Sequence, residues 1–188
     1  MAELTQKERL QPSLLDRLTD DRPEERQESR EKHVLSPSRL RECVRRDLTW
    51  LLNTTNLAAT EEEVNEFPEV LQSVVNFGMP DLAGRVASSI DVRTMERQLM
   101  RVISNFEPRL MKNTVKLKLV HDDQKMDVNA MTFDIEAELW AQPLPLRLFL
   151  RTEIDLENGG VKVTETTGQS TGQSGGQSSG QFTGPRSG

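Results

Sequence analysis

The stretch Asp91 to Leu110, DVRTMERQLMRVISNFEPRL, decides how the rest of the chain is read. Val92, Met95, Leu99, Val102, Ile103 and Phe106 recur mostly at intervals of three and four, which gathers them on one face of an α-helix. Asp91 suits the N-cap, because its carboxylate can accept a hydrogen bond from an orphan N–H of the first turn. Pro108 has no N–H and disfavours helical geometry at Glu107, so the helix is expected to stop there. Glu107 and Arg109 then flank a rigid proline where the helical pattern gives way to alternation. An acid and a base on a stiff helix-to-strand corner make a small two-sign recognition point.

Downstream the period changes from 3.6 to two. Val115, Leu117 and Leu119 alternate with Lys116 and Lys118. Met131, Phe133, Ile135, Ala137 and Leu139 alternate with Thr132, Asp134, Glu136 and Glu138. Leu144, Leu146, Leu148, Leu150, Thr152 and Ile154 follow, with Arg147, Arg151 and Glu153 between them. Period two gives each strand one buried and one wet face. The wet faces are basic, acidic and basic, so pairing in sequence order would set opposite charges across the sheet. His121-Asp122-Asp123-Gln124 and Gln142-Pro143 lie in the connections. Asn158-Gly159-Gly160 signals a hairpin into a short strand, Val161 to Val163.

Upstream, Ser36-Pro37-Ser38 is a helix start, and the helix is expected to run from Pro37 to Leu52. Leu40, Val44, Leu48 and Leu51 line one face, with Cys43, Trp50 and Leu52 beside them. Asp47 falls inside that apolar sector, where a carboxylate needs partners. Two arrangements fit: partial exposure at the edge of the core, which is the expectation, or an ion pair with an arginine such as Arg17 or Arg109. Asn53 to Glu66 reads as a loop with an acidic run at Glu61-Glu62-Glu63. Phe67 to Val75 reads as a short helix with Val70, Leu71, Val74 and Val75 apolar. Gly78 is expected at positive φ in the turn after it. Leu82 to Ile90 reads as a connection holding up to one helical turn.

Together these patterns predict an α+β fold with N-terminal helices packed on one face of a mostly antiparallel sheet of about four strands. Three regions are expected. Residues 1–33 form a mostly flexible arm with a short helical segment, residues 34–165 the domain, and residues 166–188 a disordered Gly/Ser/Gln-rich tail whose removal leaves stability unchanged. Within the arm, PSLLDRL fits equally a chance leucine cluster and a short helical peg that docks on the domain or on a partner.

The 188 residues carry a net charge of −6 and only 4% aromatics, against nucleic-acid binding and base stacking. One cysteine, Cys43, excludes an intramolecular disulfide and suits a reducing cytosol. No apolar run approaches the roughly 20 residues of a membrane span, and the N-terminus lacks a signal-peptide core. Two histidines and one cysteine cannot build a His/Cys metal site, so neither metal nor cofactor is expected. There is no GxxxxGK[ST], GxGxxG or GxSxG. Asp134, Glu136 and Glu138 share one predicted wet face, where similar solvation cannot split them into acid and base.

PSLLDRLTDD, RRDLTWLLNT, VVNFGMPDL and NFEPRL, in this order and followed by a strand meander, resemble the TssE family, baseplate subunits of bacterial type VI secretion systems. That family is similar to baseplate wedge proteins of contractile-tailed phages, long labelled lysozyme-like. The resemblance spans about Pro12 to Val163, and Glu107-Pro108-Arg109 is its most specific part. The family usually carries an arginine just after LLNT, where this chain has Thr55.

The resemblance implies a non-enzymatic cytoplasmic subunit, in a baseplate on the cytoplasmic side of the inner membrane. Its partners would be the wedge subunits TssF and TssG, the subunit TssK, and the sheath proteins TssB and TssC, with no nucleic acid and no insertion into the membrane. Glu107 and Arg109 would contact a helical bundle of TssF and TssG, with Pro108 aiming them. Alanine at Glu107 or Arg109 is then expected to weaken wedge binding and leave the fold intact. A sheet edge would take strands from the sheath; a blunted edge guarded by Lys116 and Lys118 is the other possibility. The alternative function, suggested by the label alone, is a peptidoglycan-cleaving enzyme.

Overall fold

The computed structural model describes residues 13–19, 23–24, 36–120, 129–141 and 144–167. Helix α1 spans Leu14–Leu18, α2 Pro37–Leu52, α3 Pro68–Leu71 and α4 Val92–Phe106; strands β1 Lys116–Val120, β2 Ala130–Leu139, β3 Leu146–Asp155 and β4 Val161–Glu165 follow. The fold is α+β, with helices mostly N-terminal to one antiparallel sheet of order β1-β2-β3-β4.

The two long helices begin as their sequences dictate. Ser36 Oγ accepts from Arg39 N–H at the head of α2, and Asp91 accepts from Arg93 N–H at the head of α4. Asp91 titrates below its usual range, chiefly because the Thr94 hydroxyl bonds its carboxylate. From α2 the chain buries Leu40, Val44, Leu48, Leu51 and Leu52; from α4, Met95, Leu99, Val102 and Ile103. These pack on the inward face of the sheet, centred on Phe133, Ile135, Leu139, Leu148, Leu150 and Ile154. Burying each such side chain contributes about 1.5–3 kcal/mol.

The wet face carries the cross-strand charges. Lys116 lies opposite Glu136, Lys118 opposite Asp134, Asp134 opposite Arg151, and Glu138 opposite Arg147. The Arg151–Asp134 pair closes to 2.8 Å. On the inward face Thr152 is fully buried, and its Oγ1 has no hydrogen-bond partner among the described residues. An orphan hydroxyl costs more than a methyl of the same shape. Thr152→Val is therefore expected to stabilise the protein by about 1 kcal/mol in urea denaturation; a destabilised variant would show that the hydroxyl is satisfied.

Three expectations need correction. The helix read over Phe67 to Val75 breaks after Leu71. Asn76 Nδ2 takes the Leu71 carbonyl at 3.0 Å and Ser73 Oγ takes that of Val70 at 2.9 Å, so side chains occupy acceptors the helix would have used. A 3₁₀ turn at Val74–Asn76 follows, and Val74 and Val75 face outward. β3 starts at Leu146, leaving Leu144 exposed, and Val115 precedes β1. The tail from residue 168, most of the arm, and the 121–128 and 142–143 connections lie outside the described residues.

The two sheet edges differ. β2 turns the Glu138 N–H and C=O towards the β1 side, to Thr114 Oγ1 and Met111 N–H. Antiparallel alternation then leaves the backbone groups of Leu117 and Leu119 facing outward. Glu96 of α4 accepts from Leu119 N–H at 3.4 Å. Among the described residues no side chain bonds the backbone of Leu117. On β4, Asn53 at the end of α2 both donates to the Val161 carbonyl, at 2.7 Å, and accepts from its N–H, at 2.9 Å. Arg45 reaches the Val163 carbonyl at 3.5 Å. The β4 edge is thus occupied by α2 side chains, whereas among the described residues the β1 edge is largely open.

Candidate functional site

The corner forms because α4 ends where Pro108 requires it to. Glu107 N–H still bonds the Ile103 carbonyl at 2.9 Å, and Leu110 N–H turns back to the Glu107 carbonyl at 3.2 Å. The next residues are stitched to β2: Trp140 N–H bonds the Arg109 carbonyl and Met111 N–H the Glu138 carbonyl, both at 2.8 Å. Leu110 forms a bridge with Leu139. Helix end and sheet end are one rigid piece.

On this corner the side chains lock onto each other. Glu107 is only 3% exposed. Its Oε1 accepts from Arg109 Nε at 2.7 Å and from Arg109 backbone N–H at 3.1 Å, and its Oε2 from Arg109 Nη2 at 2.6 Å. The pair is a two-pronged fork, the strong form of a carboxylate–guanidinium contact. Glu107 therefore holds Arg109 in place rather than standing in solvent. Pro108 is exposed, and the Arg109 side chain remains 23% exposed.

Asp47 joins them. Its Oδ2 accepts from Arg109 Nη2 at 2.6 Å, and its Oδ1 from Arg46 Nε at 2.9 Å. The expected partial exposure is there, but the carboxylate is spoken for twice, and Arg109 is the long-range partner. The reason is geometric: α2 presents Asp47 to the C-terminal end of α4. The Arg17 side chain lies outside the described residues. Arg46 carries the chain one step further, bonding Asp16 of α1 at 2.7 Å and lying over the Trp50 ring at 5.0 Å. Asp16, Arg46, Asp47, Arg109 and Glu107 thus alternate in sign across three segments.

The electrostatics follow. Burial works against the charge on Arg109, but Glu107 and Asp47 outweigh it and raise its pKa above the ordinary guanidinium value. Arg46 is raised in the same way, burial being outweighed by Asp16 and Asp47. For Asp16, burial is outweighed by the Ser13 hydroxyl and by Arg46, and the carboxyl titrates below its usual range. All three stay charged at neutral pH.

Beside the corner runs a groove of about 590 Å³, lined by Leu14, Leu15, Trp50, Phe77, Phe106 and Pro108 together with Asp47, Glu107 and Arg109. The Phe77 and Phe106 rings meet edge-on, with centroids 5.5 Å apart. Glu107, Pro108 and Arg109 were legible from sequence; Asp16 and Arg46 were not, although the Arg46-Asp47 doublet on α2 was a visible hint. On the sheet, Asp134 is paired with Arg151 and Glu136 lies near Lys116, 3.9 Å away. The wet-face carboxylates are balanced by neighbouring strands. Among the described residues no group of His, Cys, Asp and Glu could hold a metal ion, and no helix is long and apolar enough to cross a membrane.

Fold and corner together define a helix-backed antiparallel α+β domain with a charge-locked proline turn. The family described as baseplate wedge protein gp25 matches residues 38–144, more than half of the 188-residue chain, and the chain belongs to that family. This is where the resemblance in the sequence pointed, and it makes the protein a structural baseplate component. The match covers α2 to β2 and the corner, and leaves α1, β3 and β4 outside. No match was found among curated proteins or among solved structures.

Proposed function

We propose that the chain is the TssE subunit of a type VI secretion baseplate, joining the wedge to the contractile sheath and seeding sheath assembly. The observation that carries the reading is the corner inside the family match: Glu107 fixes Arg109, Pro108 is exposed, and the Arg109 side chain is partly exposed, on a backbone bonded to β2. Pro108 and Arg109 touch the helical bundle of TssF and TssG, and Glu107 sets the angle of the guanidinium. TssK, TssB and TssC complete the set of partners, on the cytoplasmic side of the inner membrane. The role is structural, without turnover of peptidoglycan. The three-part organisation is retained: residues 1–33 as arm, 34–165 as domain, 166–188 as tail.

The test is retention of purified protein on an immobilised TssF–TssG complex. Arg109→Ala is expected to bind about tenfold more weakly, as for a charged group lost from a desolvated contact. Retention equal to that of the parent protein, in a sample shown to be folded, would defeat the reading.

For the sheath, the β1 edge is the better candidate, because α2 side chains already occupy β4. A strand added at Leu117 would complete the outward ladder. Leu117→Pro removes an outward N–H and spares the bonds to β2. It is expected to join the wedge but fail to nucleate sheath in cells; normal sheaths would mean that the β1 edge is not used.

A further inference from the structure

The arm helix α1 is short, and Asp16 ties it to α2. Ser13 caps it, accepting from Asp16 N–H at 3.3 Å, and Asp16 bonds Arg46 at 2.7 Å with its side chain only 9% exposed. What docks α1 is thus a buried charge contact. Its leucines are left outside: Leu14 is 69% exposed, Leu15 46% and Leu18 73%. Trp50 of α2 is 51% exposed. Ordinarily such side chains would be what pins a short helix to its domain. Here Leu14 and Leu15 line the same groove as Phe77, Phe106 and Pro108.

In the lining of the same groove, Arg109 has a donor to spare. Its Nε and Nη2 serve Glu107 and Asp47, while Nη1 is buried without an acceptor among the described residues. A guanidinium nitrogen in that position is costly unless something brings it an oxygen. An apolar lining, an exposed tryptophan and a partly exposed guanidinium with one unsatisfied donor are the features of a cleft for an amphipathic helix.

We propose that α1 is the outer wall of a clasp, and that the clasp holds one helix whose apolar face fills the groove and whose carbonyl or carboxylate oxygen meets Arg109. The inference rests on the reading of the corner as the wedge contact and adds α1 to it. Asp16 is a positioning residue: through Arg46 and Asp47 it ties the arm to Arg109, so the wall of the clasp and Arg109 move together. The arm is then part of the binding surface before any partner arrives, which lowers the ordering cost of association.

The experiment uses the full chain and the immobilised TssF–TssG complex as probe, with circular dichroism and melting temperature recorded for every variant. Leu15→Glu puts a charge on the apolar wall, and an affinity loss of about tenfold or more is expected. Asp16→Asn keeps the shape of the side chain and removes its charge, with a loss of about three- to tenfold expected. Arg109→Lys keeps the charge but removes the fork and is expected to bind more weakly than the parent protein.

If Leu15→Glu and Asp16→Asn bind as the parent does while Arg109→Ala weakens binding, the clasp is wrong and the corner contact stands alone. Should Arg109→Ala also bind normally, both fall. Sedimentation velocity covers the remaining occupant: a dimer of the parent chain that Leu15→Glu converts to monomer would show that the groove holds a second copy, and would overturn the proposal.

Discussion

Glu107→Ala is expected to lower the unfolding free energy by about 2–3 kcal/mol. Removing one partner of a buried pair typically costs about 3–5 kcal/mol, because the other charge is left without compensation. Here the loss falls at or below the lower end, since Arg109 keeps Asp47 at 2.6 Å and remains 23% exposed. The melting temperature would fall by about 2–4 °C for each kcal/mol. Glu107→Gln, which keeps the shape and one acceptor, is expected to lose less than half as much. An alanine variant within about 0.5 kcal/mol of the parent would reduce the fork to an ordinary surface bridge. The expectation formed from sequence, that alanine leaves the fold intact, treated Glu107 as a solvent-facing contact. A side chain 3% exposed and triply bonded to Arg109 does not behave so. Binding measurements on corner variants therefore have to be normalised to the folded fraction.

The parts of this fold that sequence disclosed are those set by near-neighbour rules. The period of α4 and its stop at Pro108, the start of α2 at Ser36-Pro37, and the alternation of the strands each follow from residues a few positions apart. Sheet order was legible only as a condition: were the strands to pair in sequence order, basic, acidic and basic wet faces would oppose one another, and Arg151 does meet Asp134 in that way. What was not legible depends on distance along the chain. Arg109 meets Asp47 from 62 residues away, an ion pair that sequence offered only as the second of two arrangements, and Asn53 mimics a strand partner for Val161 from 108 residues away, which it did not offer. Neither leaves a periodic trace. The broken helix after Leu71 was hidden for a related reason: the apolar pattern continues through Val74 and Val75, but Asn76 and Ser73 divert the acceptors. As for the site, the three corner residues could be read, and their division of labour could not. Sequence shows that Glu107 and Arg109 flank a proline; only the fold shows that one is buried to hold the other.

The same dependence on a long-range backbone approach makes Gly78→Ala the most damaging small substitution expected here. Gly78 sits at φ +119°, and a Cβ added there would lie 2.2 Å from the Thr54 carbonyl oxygen and 2.8 Å from its carbon. Those are backbone atoms, so no side chain can swing away. The approach exists because Met79 N–H bonds the Thr54 carbonyl at 2.8 Å and Asn56 N–H the Met79 carbonyl at 3.0 Å, with Thr55 and Met79 bridged. The clamp runs through the backbone of Thr55, which a change of its side chain leaves in place. An alanine would incur about 1–3 kcal/mol of backbone strain and open two hydrogen bonds worth about 1 kcal/mol each, a loss of about 3–5 kcal/mol. The damage is expected to be local first. Within 53–78 only Phe77 packs against the buried apolar cluster, so α4 and the sheet can persist while the clamp opens. Hydrogen exchange is expected to accelerate at the amides of Met79 and Asn56 and to stay slow at Leu99 and Ile135. Phe77, next in the chain, packs on Phe106 in the wall of the groove, so wedge binding is expected to weaken with the clamp even though the corner charges are untouched. An alanine variant with the parent's melting temperature and unchanged exchange at Met79 would mean that the Thr54 backbone can retreat at little cost, and that the clamp does not brace the groove.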